Sequence, residues 1–76
     1  MLTRNKVAKK LAKRLRQLRE SKGFSQEDLA IESGLGRSYY WRLEQGQINL
    51  TLETLVKLSN VLHVEIADLF EQPAKR

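Results

Sequence analysis

Arg37, Ser38, Trp41, Arg42 and Gln45 are spaced so that a helix turning roughly 100° per residue gathers them on one side, opposite Tyr40 and Leu43. That side is rich in hydrogen-bond donors. Arg37 and Arg42 can each present a guanidinium fork to guanine O6 and N7, the commonest specific contact in the major groove of duplex DNA, and Ser38 can donate or accept beside them. The same two arginines can instead serve only phosphate, or pair with Glu44 or Glu32. Trp41 is equally open: its indole meets thymine methyls and sugars, holds the helix off the groove, or folds over Ile48. Gln26 offers an amide in the first turn of an earlier helix, where N-terminal N–H groups suit a phosphate. Catalysis finds no such grouping. His63 is the sole histidine and has no neighbouring nucleophile, and no acid pair, metal-ligand cluster or phosphate-cradling glycine loop occurs at a working spacing. The chain is expected not to be an enzyme, with no cofactor, no metal and no evident small-molecule ligand.

The elements that must position these residues are helical, because apolar residues recur at three and four and nowhere alternate over the length of a strand. The pattern predicts five helices. The first runs from about Asn5 to Ser21, with Val7, Ala8, Leu11, Leu15 and Leu18 as its buried stripe and Lys6, Lys9, Lys13 and Arg16 elsewhere on its surface. Gly23 ends it and Phe24 drops into the core. Ser25 caps a second helix over about Gln26 to Ser33, Gly34 stops that helix, and a third covers about Arg37 to Gln45 with Gly46 after it. Thr51 caps a fourth, in which Leu52, Leu55, Val56, Leu58, Ser59 and Leu62 recur as core. His63 and Val64 link it to a last short helix from Glu65 to about Phe70, and Pro73 prevents continuation. The second and third helices, residues 26–45, then form a helix-turn-helix. Ala30 allows close crossing, Gly34 supplies the positive φ of the tight exit, and Leu29, Tyr40 and Leu43 face inward.

Charge is distributed unevenly along the 76 residues: the first 22 hold nine Lys and Arg against Glu20 alone, although the whole chain nets only +5. One end suits a polyanion. From Leu43 to Ala74, Lys57 is the single cation against Glu44, Glu53, Glu65, Asp68 and Glu71, which favours self-association over contact with phosphate. With 41% hydrophobic and 30% charged residues the composition is that of one small globular domain over 1–76, and the absence of cysteine excludes disulfides and thiolate metal sites. No run approaches the roughly 20 apolar residues of a membrane span, and no secretion signal is evident. A cytoplasmic protein without membrane attachment is expected.

Residues 24–70 resemble the phage repressor and Cro class of helix-turn-helix domains, the xenobiotic-response-element family of bacterial regulators. The motifs that carry the likeness are Ser25-Gln26-Glu27-Asp28-Leu29-Ala30, Gly34, Arg37-Ser38-Tyr39, Leu43-Glu44-Gln45-Gly46, Leu52-Glu53-Thr54-Leu55-Val56-Lys57-Leu58 and Leu69-Phe70. Arg37-Ser38-Tyr39 with Glu44-Gln45-Gly46 and Asn49-Leu50-Thr51-Leu52 is most similar to the controller proteins of restriction-modification systems. The resemblance implies an all-α, five-helix, lambda-repressor-like fold, with base contacts from Arg37, Ser38 and Arg42, joined by Trp41 if its indole faces the groove. It implies phosphate contacts from Gln26 and Tyr39, to which Gln45 is added, and a structural Glu44 in an internal ion pair. Tyr40 departs from the family, which has Ile or Val there, so the core must take a ring and the hydroxyl must find a partner.

The expected function is a sequence-specific DNA-binding transcription regulator, acting as a homodimer on a pseudo-palindromic operator in double-stranded DNA. Leu50, Val64, Ile66, Leu69 and Phe70 exceed what one short helix needs to stay attached, so residues 50–70 are the expected dimerisation part, with Ile66 at its centre. The competing class is an antitoxin-like protein-interaction module whose basic first helix binds an acidic partner. Membrane-surface association through that helix is a weaker third reading, since the core needs its apolar stripe.

Overall fold

The computed structural model describes residues 2–47 and 50–70, and among them the chain forms four α-helices and one 3-10 turn. Helix α1 spans Arg4–Ser21, α2 Gln26–Glu32, α3 Arg37–Glu44 and α4 Leu52–Leu62; the 3-10 turn covers Ile66–Leu69. The starts are set locally. The hydroxyls of Thr3, Ser25 and Thr51 accept hydrogen bonds from the backbone N–H groups of Lys6, Asp28 and Thr54 at 3.2, 3.0 and 3.1 Å. Gly34, at φ +69°, turns the chain out of α2 so that the Leu35 N–H reaches back to the Ala30 carbonyl at 2.8 Å.

Helix α3 packs against both α1 and α2, α4 closes over α2, and the 3-10 turn wedges against α1 and α4. The core so enclosed contains Leu11, Leu15, Leu18, Leu29, Ala30, Tyr40, Leu43, Leu58, Leu62 and Leu69. Inward placement of Leu29, Ala30, Tyr40 and Leu43 agrees with the expected helix-turn-helix. No helix among the described residues is long and apolar enough to cross a membrane.

Four expectations need correction. Val7 and Ala8 are only half-buried, the buried stripe of α1 being Leu11, Ala12, Leu15, Leu18 and Arg19. The fifth helix is a single 3-10 turn, because Leu69 must drop fully into the core and the short segment closes on itself: the Asp68 carboxylate accepts from the Glu65 N–H at 3.0 Å. Leu69 is therefore not a dimer-interface residue, having 0% of its surface exposed. Leu52 and Val56 are not core. The buried stripe of α4 is Thr54, Leu58, Ser59 and Leu62, which leaves Leu52 72% exposed and Val56 also facing out. Pro73 lies outside the described residues.

His63 ends α4 in the left-handed region, at φ 58° and ψ 47°. An L side chain is disfavoured there by roughly 1–2 kcal/mol, part of which glycine would lose again to its freer unfolded chain. His63→Gly should thus raise stability in urea denaturation by about 0.5–1 kcal/mol, and His63→Val should lower it.

Candidate nucleic-acid interface

The inner side of α3 is fixed by one buried carboxylate. Glu44 is 1% exposed and receives Arg19 Nε at 2.5 Å and Arg19 Nη2 at 3.2 Å, while Gln26 Nε2 donates to it at 3.0 Å. The Tyr40 hydroxyl donates to the same group, the partner its position required. Burial by itself would raise the Glu44 carboxyl, but the hydrogen bonds from Arg19, Tyr40 and Gln26 and the charge of Arg19 hold it below the ordinary carboxylate range. The Tyr40 hydroxyl is pushed up by burial and by its bond to Glu44; Arg19 is raised by its bond to Glu44 against the opposing effect of burial. Arg19 also donates through Nη1 to the Phe24 carbonyl at 2.9 Å, so α1, the α1–α2 link, α2 and α3 meet at one point.

Glu44→Gln should cost on the order of 3 kcal/mol, since Arg19 stays buried with only the exposed Glu20 carboxylate, 3.7 Å from its Nη2, to balance it. The carboxyl's stabilisation is complete above its unfolded value of about 4.5 and is lost as pH falls through the lower folded value. Urea titrations below pH 5 should accordingly show a steep loss of stability in the wild type and a shallower one in Glu44→Gln.

The outer side of α3 is open to solvent. Arg37, Ser38, Trp41, Arg42 and Gln45 are all exposed, and Gln26, Glu27, Arg37, Ser38 and Trp41 line a shallow cleft of about 250 Å³ between α2 and α3. Four expected contact residues therefore meet at the cleft: Gln26, Arg37, Ser38 and Trp41. Arg42 and Gln45 lie on the same side of α3 but do not line it. Trp41 is 49% exposed on this face; Ile48, its alternative neighbour, lies outside the described residues. Tyr39 is half-buried at the flank, its hydroxyl 3.2 Å from Thr54 Oγ1, which ties α3 to the start of α4.

Two partners were not legible in advance. Arg37 pairs with neither Glu44 nor Glu32 but with Glu27, Nη1 to Oε2 at 2.8 Å, because Glu44 is buried and Glu32 lies at the far end of α2. Arg19 completes the Glu44 ion pair, and one signal marked it: Arg19 lies four residues after Leu15, on the buried stripe rather than with the exposed cations. The exposed cations Lys6, Lys9, Lys13 and Arg16 recur at three and four along α1. This row borders the end of α3. Arg16 Nη2 lies 3.5 Å from the Glu44 carbonyl, and a Cβ on Gly46, which is at φ +72°, would lie a tight 3.1 Å from Lys9 Cγ and 3.3 Å from its Cα, so glycine eases the approach of α1.

The profile of the helix-turn-helix family HTH_3 matches residues 15–69. Control protein C.BamHI of Bacillus amyloliquefaciens is 37% identical over 68 residues, covering 88% of this chain and 84% of that protein. The crystal structure of the restriction-modification controller protein C.AhdI from Aeromonas hydrophila is 48% identical with a TM-score of 0.80, covering 83% of this chain and 96% of that one. The biofilm regulator SinR, solved in complex with DNA, is 34% identical with a TM-score of 0.76, over 80% of this chain and 98% of that one. The chain spans only 38% and 48% of the lengths of two other curated regulators it matches. With the buried Arg19–Glu44 pair beneath an exposed α3 and a matching profile over most of its length, the chain belongs to the helix-turn-helix family.

Proposed function

We propose that the protein is a sequence-specific DNA-binding transcription regulator of the restriction-modification controller type, acting as a homodimer on a pseudo-palindromic operator. The observation that carries this reading is the division of α3. Its inner side is locked by Glu44, while its outer side presents Arg37, Ser38, Trp41 and Arg42 to solvent. In the proposed complex these four residues meet base edges, and Gln26, Tyr39 and Gln45 meet phosphates. The Gln26 amide has one N–H on Glu44, and its second N–H is the donor proposed for a phosphate. The basic row of α1 adds backbone contacts beyond the end of α3. Similarity to two controller proteins and to a relative solved with DNA supports the assignment.

If each half-site neutralises about five phosphates, log K against log salt should fall with a slope on the order of −4 to −5 per protomer. Arg37→Ala and Arg42→Ala should each lose about 1–3 kcal/mol of discrimination between a selected operator and a scrambled duplex. Gln26→Ala should weaken both duplexes alike, because phosphate carries no sequence information. Parallel titrations at several salt concentrations measure all of this, and a wild type that binds no duplex at low salt would refute the assignment.

The proposed dimer face comprises Leu50, Val64, Ile66 and Phe70, to which the exposed Leu52 and Val56 of α4 are added. Leu50 and Phe70 line an apolar groove of about 440 Å³ together with Val7, Leu43 and Leu55. Pairing there would set two copies of α3 about 34 Å apart, one turn of DNA. Ile66→Glu and Val56→Glu should give folded monomers with much weaker operator binding. Sedimentation tests this, and a wild type that stays monomeric at high micromolar concentration would contradict it.

A further inference from the structure

Arg37 stands at an unfavourable place for a cation. It is the first residue of α3, where the helix dipole is positive and where the N-cap Gly36 supplies no side-chain bond. Its charge is balanced from across the turn by Glu27, the second residue of α2, at 2.8 Å. The two side chains are 68% and 57% exposed, so the pair adds little to stability. Its effect is geometric. Glu27 draws the guanidinium over the cleft that holds Gln26, Ser38 and Trp41. Because Glu27 accepts from Nη1 alone, the remaining N–H groups stay free to form a fork.

We propose that Glu27 is a specificity-determining residue that acts through Arg37, a role resting on the DNA-binding reading above. Opposite guanine, Arg37 bonds the base with its free N–H groups while still neutralising Glu27. Opposite any other base, the guanidinium gains most by turning to a phosphate, and doing so leaves Glu27 as an unpaired anion beside the polyanion. Glu27 thus adds a penalty that falls on wrong sequences and spares the right one.

The test uses a duplex selected by the wild type from a random-sequence pool, and the same duplex with A·T at the G·C pair whose preference Arg37→Ala abolishes. Glu27→Gln should tighten binding to the A·T duplex about fivefold to tenfold and to the selected duplex less than about twofold, with only a small drop in thermal stability from losing a carboxylate in the first turn of α2. In the Arg37→Ala background, Glu27→Gln should tighten both duplexes equally, since no arginine then distinguishes them. Equal tightening of both duplexes in the wild-type background would overturn the proposal, leaving Glu27 a plain repulsive charge. So would weaker binding to both, or an Arg37→Ala variant that loses preference at no position. These failures are distinct from failure of the DNA-binding reading, in which the wild type selects no sequence at all.

Discussion

A single, almost completely buried carboxylate sets the geometry of this domain. Glu44 accepts hydrogen bonds from Arg19 on α1, Gln26 on α2 and Tyr40 on α3, and is almost completely buried among them. An isolated buried charge is strongly unfavourable, so α1, α2 and α3 are free to shift only together. Helix α3 has eight residues, too few to be stable alone in water. Its position is therefore a property of the packing around Glu44, Tyr40 and Leu43 rather than of its own helix propensity.

Fixing one side of a short helix rigidly leaves the other side available. Arg37, Ser38, Trp41 and Arg42 need no core contact, and the first three form with Gln26 and Glu27 a small cleft that joins α2 to α3 on the outer face. Gln26 belongs to both sides, since its amide reaches the buried carboxylate while its backbone begins α2. The acid that balances Arg37 is held outside that core, so the exposed ion pair and the buried one are separate devices. Preorganisation of this kind limits the side-chain freedom lost on binding. The cations of α1 follow the end of α3 because Gly46 lets Lys9 approach, which extends positive surface along one side of the molecule.

Much of this was legible in the sequence where the information is local. Ser25 and Thr51 as caps, Gly34 as the turn, and the inward phase of Leu29, Tyr40 and Leu43 each follow from steric preference or helical period. The structural role of Glu44 followed from family resemblance, but Arg19 lies 25 residues away and only tertiary packing brings it there. Periodicity also fixes phase within a helix without saying which neighbours cover it. Leu52 and Val56 look like core in the sequence yet face out, and Leu69 looks like surplus yet is buried, because α4 packs through Thr54, Leu58 and Leu62. The partner of Arg37 depended on how α2 and α3 cross, and Glu27, Asp28, Glu32 and Glu44 were all near enough in sequence to compete.

The central claim is that the locked α3 meets duplex DNA with its outer face. The most direct measurement is a titration of the isotope-labelled protein with a selected operator duplex, followed by backbone and indole N–H resonances. The account predicts the largest changes at Gln26, Arg37, Ser38, Trp41, Arg42 and the Lys9–Gly46 edge, with Leu29, Leu58 and Leu62 little moved. Changes concentrated on the exposed side of α4 and at Phe70, with α3 silent, would contradict it.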